Sequence, residues 1–260
     1  MIDKGLLLER LDAIGQSLSN YDQALLLLGL GSVGAELNRL DSYSDLDFFV
    51  ITKSGNASRF IDHLDWLNNV YPLSYQFRNA DVGWKIMFED GIYGEFAIFD
   101  EDELKHIPCY GGRIIWHKPD YEPQIPTLDQ QNPIKRPDSL DFPLNEAITN
   151  IYVGLCRYAR GEKMSAKTFI ESYAVGQIIS TLHLHSQELP CDLDPYSNDR
   201  RVEARFPDFA VHLNEMLQGY DRVPQSAIRI LTYLETIYPV NRKLSQEIRS
   251  LALQLGATLS

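Results

Sequence analysis

The sequence predicts an α+β fold: a sheet with flanking helices, followed by an all-helical C-terminal domain. Three observations predict it. Short apolar runs of strand length, set off by turn residues, recur between residues 24 and 117. Prolines at 119, 123, 126, 133, 137 and 143 then crowd one stretch of chain, which suits an extended crossing and opposes a helix. From Leu144 onward apolar residues recur at helical spacing. The expected division is a sheet-bearing domain over 1–120, a proline-rich linker over 121–142 and a helical domain over 143–260, and 260 residues are ample for two modest cores.

In chain order, Leu6, Leu7, Leu8, Leu11, Ile14 and Leu18 mark an opening helix over residues 3–19. Ala24–Leu28 reads as a buried strand, Val33–Leu40 as a short helix, Leu46–Ile51 as a second strand and residues 57–70 as a helix. Strands are expected at Leu73–Phe77, Gly83–Phe88 and Ile92–Phe99, the last two joined by the tight turn "EDG", and a further one at Arg113–His117. The helical domain is read as Leu144–Arg160, Ser165–Ser186, Val202–Gln218, Gln225–Tyr238 and Asn241–Leu255.

Composition narrows the function. The chain is 44% hydrophobic and 23% charged, which is globular rather than disordered. A net charge of −12 runs against a nucleic-acid grip, which needs basic groups to displace counterions from phosphates. No apolar run is long enough to span a membrane, and the N-terminus lacks the pattern of a secretory signal. Cys109, Cys156 and Cys191 are odd in number and form no C-x-x-C pair, so a reducing cytoplasm without structural zinc or disulfides is expected.

The stretch "LLLLGLGSVGAELNRLDSYSDLDFFVI" carries the chemistry. GLGSVG matches the dinucleotide fingerprint G-x-G-x-x-G, but that fold places its ribose-binding acid at the C-terminal end of the second strand. Here Asp45 and Asp47 precede the apolar run "FFVI", and the intervening helix is too short to cross a parallel sheet. In a strand, residues i and i+2 share a face, so Asp45 and Asp47 aim their carboxylates into one volume. Such a pair repels unless divalent cations sit between, and magnesium bridges carboxylates to phosphates. Gly31 and Ser32, directly after the first strand, offer close backbone approach and a hydroxyl for phosphate oxygens.

Gly31-Ser32, a twelve-residue spacer and Asp45-Leu46-Asp47 on a strand resemble the signature of the polymerase-beta-like nucleotidyltransferase superfamily. That superfamily needs a third carboxylate on a later strand, and Glu95 in "GIYGEFAIFDEDELKHIP" stands where such a residue belongs. "YSDLDFF" and "GEFAIFDEDELKHIP" are most similar to the antibiotic nucleotidyltransferases, above all those acting on lincosamides. Many members place a basic residue close after Gly-Ser; here "VGAE" stands instead, with Arg39 further on and Arg160, Lys163 and Lys167 in the helical domain as further candidates.

The resemblance implies a nucleotidyltransferase-type mixed sheet and Mg²⁺-dependent transfer of a nucleoside monophosphate from a triphosphate such as ATP to a hydroxyl of a small molecule. Asp45 and Asp47 would hold one or two Mg²⁺ ions, with Gly31 and Ser32 on the phosphates and Glu95 as either general base or third metal ligand. The acceptor is expected between the domains, by resemblance a lincosamide or aminoglycoside antibiotic, and relatives suggest a homodimer. Two other readings keep the same residues: a protein-nucleotidylating enzyme, and a non-catalytic nucleotide-binding protein. Elsewhere, Glu89, Asp90 and Asp100–Asp102 read as solvated turn residues, Trp66 and Trp84 as core or groove aromatics, and His183 and His185 as too poorly aligned on a helix to share a ligand.

Overall fold

A computed structural model describes residues 3–107, 112–125, 136–194 and 197–258; Cys109, Pro126 and Pro133 lie outside the described residues. The chain forms two compact units, Met1–Asn132 and Pro133–Ser260.

The first unit is built on α1 (Lys4–Leu18), β1 (Ala24–Gly29), β2 (Leu46–Thr52), α2 (Ala57–Asp62), α3 (Asp65–Asn68), β3 (Leu73–Arg78), β4 (Gly83–Phe88), β5 (Tyr93–Asp100) and β6 (Arg113–His117). The strands make one mixed sheet in the order β3-β4-β5-β2-β1-β6. Only the β2–β5 pair is parallel; the remaining four pairings are antiparallel. Alternation along the strands sends Leu46, Phe48 and Val50 of β2 and Gly94, Phe96 and Ile98 of β5 to one face. There they pack with α1, α2 and α3 through Leu7, Leu11, Phe60 and Trp66. Phe48 stacks on Phe96 with ring centres 5.0 Å apart, and Trp66 meets both rings edge-on. A second, smaller core on the opposite face joins Leu26, Leu28 and Ile51 to Leu104 and Ile107.

Several elements differ from expectation for identifiable reasons. Val33–Leu40 is not one helix but two 3₁₀ turns, Gly31–Val33 and Leu37–Arg39. The Arg113 guanidinium takes the carbonyls of Val33 and Gly34 at 2.9–3.2 Å, acceptors that a continuing helix would need. The helix expected over 57–70 breaks at His63. The indole N–H groups of Trp66 and Trp84 donate to the carbonyls of Phe60 and Ile61, and so cap α2 from its side. Asp100 is no solvated turn residue. It accepts from the amides of Gly55, Asn56 and Ala57 at 2.8–3.2 Å and from the Thr52 hydroxyl at 2.9 Å, which holds the start of α2. Asp90 likewise pairs with the buried Arg10 at 2.6 Å.

The second unit is helical, with its core along α4 (Asp141–Ala159), α10 (Val223–Ile237) and α11 (Arg242–Gln254). Pro143 sits inside the first turn of α4, where the missing N–H costs nothing, so that helix starts ahead of Leu144. The helix expected over 165–186 is α5 (Lys163–Lys167), a π-helical segment Thr168–Ala174, α6 (Val175–Thr181) and a 3₁₀ turn. The π segment carries Glu171 inward, where it accepts from the Gly219 amide and the Ser226 hydroxyl, both at 2.8 Å. Val202–Gln218 is split into α7 (Val202–Arg205), α8 (Pro207–Ala210) and α9 (Leu213–Met216), and Pro207, which cannot continue a helix through its own amide, sets the first of these breaks. No helix among the described residues is long and apolar enough to cross a membrane.

Candidate active site

The parallel β2–β5 register sets Asp47 directly beside Glu95, and the β4–β5 register sets Lys85 on the other side of Glu95. Residues level with one another on neighbouring strands share a face, so Lys85, Glu95 and Asp47 form one row across three strands. This row lies opposite the helix-covered core and is half exposed. Asp45 comes one residue ahead of β2, level with Tyr93 if the register is continued by one. Its carboxylate is half-buried and has no hydrogen-bond partner among the described residues.

The turn after β1 lies against this row. Gly31 has φ +53°, and a methyl added there would sit 3.9 Å from a carboxylate oxygen of Asp47. The Leu30 amide donates to the Asp47 carbonyl at 2.7 Å, tying the turn to β2. Gly29 is required by space: a methyl there would lie 2.6 Å from the Val33 carbonyl oxygen. No backbone carbonyl among the described residues accepts from the amides of Gly31 or Ser32. Arg113 brings a guanidinium to the far side of the same turn from β6, which pairs with β1 through Gly29 and Arg113.

Glu95 is held by two partners. Asn79 Nδ2 donates to one carboxylate oxygen at 2.9 Å and Lys85 Nζ meets the other at 3.2 Å. The hydrogen bond and charge of Glu95, with Tyr93 and Asp47 adding to them, push the Lys85 ammonium above its ordinary pKa. Among the described residues no three His, Cys, Asp or Glu side chains are gathered as a metal-holding group. The geometry therefore brings Asp47, Glu95 and the Gly31–Ser32 turn to one place, with Asp45 at the strand's approach, while Glu95 is turned to Lys85 and Asn79.

The other expected cations are committed elsewhere. Arg39 pairs with Glu36. Arg160 pairs with Glu162 at 3.0 Å, Lys163 with Asp221 at 3.9 Å and Lys167 with Glu171 at 3.4 Å, all inside the helical unit. Sequence reading missed Lys85, Asn79 and Arg113. Lys85 stands in the alternating run "GWKIMF", but only the hairpin register shows that it faces Glu95. Arg113 reaches the turn from some 80 residues away, which no local pattern announces.

No protein-family model and no curated protein matches the sequence. Among solved structures, the chain is similar to an aminoglycoside 6-adenyltransferase from Bacillus subtilis, at 15% identity and a TM-score of 0.35 over 100% of this chain and 94% of that one. It is also similar to a STING-associated CdnE c-di-GMP synthase from Capnocytophaga granulosa, at 12% identity and a TM-score of 0.33 over 97% of this chain and 79% of that one. Neither likeness is strong enough to carry a function across.

Proposed function

We propose that this chain transfers a nucleoside monophosphate from a nucleoside triphosphate to a hydroxyl group of a small acceptor, releasing pyrophosphate. The observation that carries the reading is the placement of Asp47 level with Glu95 on an open sheet face, against the Gly31–Ser32 turn. The donor set fits a hard divalent cation: carboxylates two residues apart, one of them, Asp45, without a hydrogen-bond partner among the described residues. Asp45 and Asp47 would hold Mg²⁺. When bound, the ion neutralises phosphate charge and aligns the triphosphate.

The chain's own groups do the rest. The amides of Gly31 and Ser32 and the Ser32 hydroxyl bind phosphate oxygens, and Arg113 keeps their turn in shape. Glu95 serves as general base: it takes the proton of the acceptor hydroxyl as that oxygen bonds to the α-phosphorus and the bond to the β-phosphate oxygen breaks. The contacts of Glu95 with Lys85 and Asn79 favour the base over the metal-ligand role, because they turn the carboxylate along the sheet toward β4. The test uses the full chain with labelled ATP, GTP, CTP and UTP, with and without Mg²⁺, against panels of lincosamides, aminoglycosides and other hydroxyl compounds. Mg²⁺- and acceptor-dependent pyrophosphate release is expected. Its absence with every triphosphate, or label appearing only on protein, overturns the small-molecule reading.

A further inference from the structure

The same face continues past the carboxylates to the edge of the sheet. The registers align Phe77, Lys85, Glu95 and Asp47 as one row across β3, β4, β5 and β2, and Tyr75, Met87 and Tyr93 as the next. The second row points at Asp45 when extended by one strand. Tyr75 is 52% exposed, Phe77 51% and Met87 38%. Large apolar groups so exposed, side by side on one face, mark a binding surface more often than scattered ones do.

Direction follows from the strand order. The Gly31–Ser32 turn and Arg113 lie on the β1 and β6 side of the aspartates, while these two rows lie on the β5, β4 and β3 side. In an in-line displacement the attacking and leaving oxygens stand on opposite sides of the phosphorus. With pyrophosphate leaving toward the glycine turn, the acceptor enters over Glu95 and its body lies on β4 and β3. At about 4.8 Å between strands, Phe77 is roughly 10 Å from Glu95 and Tyr75 a similar distance from Tyr93. Among the residues that these rows place between Glu95 and β3, the one charged side chain, Lys85, is already matched by Glu95. Three half-exposed side chains of this kind offer on the order of 300 Å², short of the roughly 800 Å² per partner that a stable protein interface needs.

We infer that Tyr75, Phe77, Met87 and Tyr93 form the acceptor-binding platform, and that the acceptor carries its hydroxyl about 10 Å from a neutral aryl or alkyl body. This rests on the transfer reading above and adds the class of acceptor to it. A polycationic sugar would find no unmatched carboxylate on the platform.

The probes are neutral phenyl- and naphthyl-substituted alkanols and, for contrast, polycationic aminocyclitols, titrated into the full chain with Mg²⁺ and a non-hydrolysable ATP analogue. The alkanols are expected to bind, and Phe77→Ala and Tyr75→Ala each to weaken them about tenfold, the scale of a lost aromatic contact. Gln76→Ala, on the opposite face of the same strand, leaves binding unchanged. Triphosphate-analogue affinity stays at the wild-type value in all three, and melting temperatures confirm that each folds. Alkanols that fail to bind, or that bind Phe77→Ala and Tyr75→Ala as well as wild type, overturn the platform. So does weakened analogue binding in those variants, which would place the nucleobase there, or a dimer that Phe77→Ala dissolves. Failure of the transfer reading looks different: the analogue is not bound in a Mg²⁺-dependent way, whatever the alkanols do.

Discussion

The two faces of the six-stranded sheet are made by alternate residues of the same strands, and they differ in nearly everything else. On the covered face Phe48, Phe96, Ile86 and Phe88 are buried beneath three helices, with the rings of Phe48, Phe96 and Trp66 in mutual contact. On the open face Asp47, Glu95 and Lys85 stay within reach of water, and Tyr75 and Phe77 pack against no core. The difference teaches that, on the transfer reading proposed above, stability and chemistry are separated by a period of two. On that reading a residue's parity along β2 or β5 decides whether its loss is felt as unfolding or as lost turnover.

The largest effect expected is at Asp47. Asp47→Asn removes the charge that a divalent ion requires, so turnover falls on the order of 10³-fold or more. The melting temperature is unchanged or slightly raised, because a repelling carboxylate is gone from the approach to Asp45. Turnover and thermal melting measured on one preparation check both halves, and near-normal turnover would remove the metal hypothesis. Next, Glu95→Gln should slow turnover by roughly 10²–10⁴-fold while Mg²⁺-dependent triphosphate binding, read by calorimetry, stays near wild type. Equal loss of both would make Glu95 a metal ligand instead.

One position along β5, the comparison inverts. Phe96→Ala opens a cavity beside Phe48 and Trp66 and should cost about 3–5 kcal/mol in denaturant unfolding. A cost below about 1 kcal/mol would mean that the covered face is not the structural one. The smallest effect is acidic. The hydrogen bond from Arg59 outweighs partial burial and holds Asp65 down at about 2, against an ordinary value of 3.8. Burial pushes Asp100 up, but the Gly55 amide, the Thr52 hydroxyl and the amides of Asn56 and Ala57 bring it below its ordinary value. Carboxylates depressed in the folded state contribute stability that is complete above their unfolded pKa and lost as pH falls through the folded one. Melting temperature should therefore hold above pH 4 and decline toward pH 2, and Asp100→Asn should flatten that decline. An unaltered acid limb in the variant would remove Asp100 from the account.

Much of the covered face was legible beforehand, because it is written in local periodicity: all six strands fall where alternation and turn residues put them. The aspartate pair and Glu95 were legible as candidates for a related reason: Asp45 and Asp47 stand two apart at the entry to an apolar run, and Glu95 interrupts one. What failed to show was whatever depends on pairing. Asn79 and Lys85 become partners of Glu95 only through the β4–β5 register, and Arg113 meets the glycine turn only once β6 lies beside β1. Two of the helix misreadings, at 33–40 and 57–70, share the dependence on tertiary contacts. Trp66, Trp84 and Arg113 take backbone carbonyls from a distance and stop helices that local propensity would have continued.

Strand β3 contributes almost nothing to either core, since five of its six residues are exposed. Its outward positions are thus nearly free of the packing constraints that bind β2 and β5. Drift in the identities at 75 and 77 can proceed without passing through unfolded intermediates. If residues 75 and 77 carry the acceptor as inferred above, a lineage can exchange one acceptor for another by editing the sheet's margin, leaving the proposed machinery of transfer and the margin of stability untouched. Selection on what is modified and selection on remaining folded then act on different strands of one sheet.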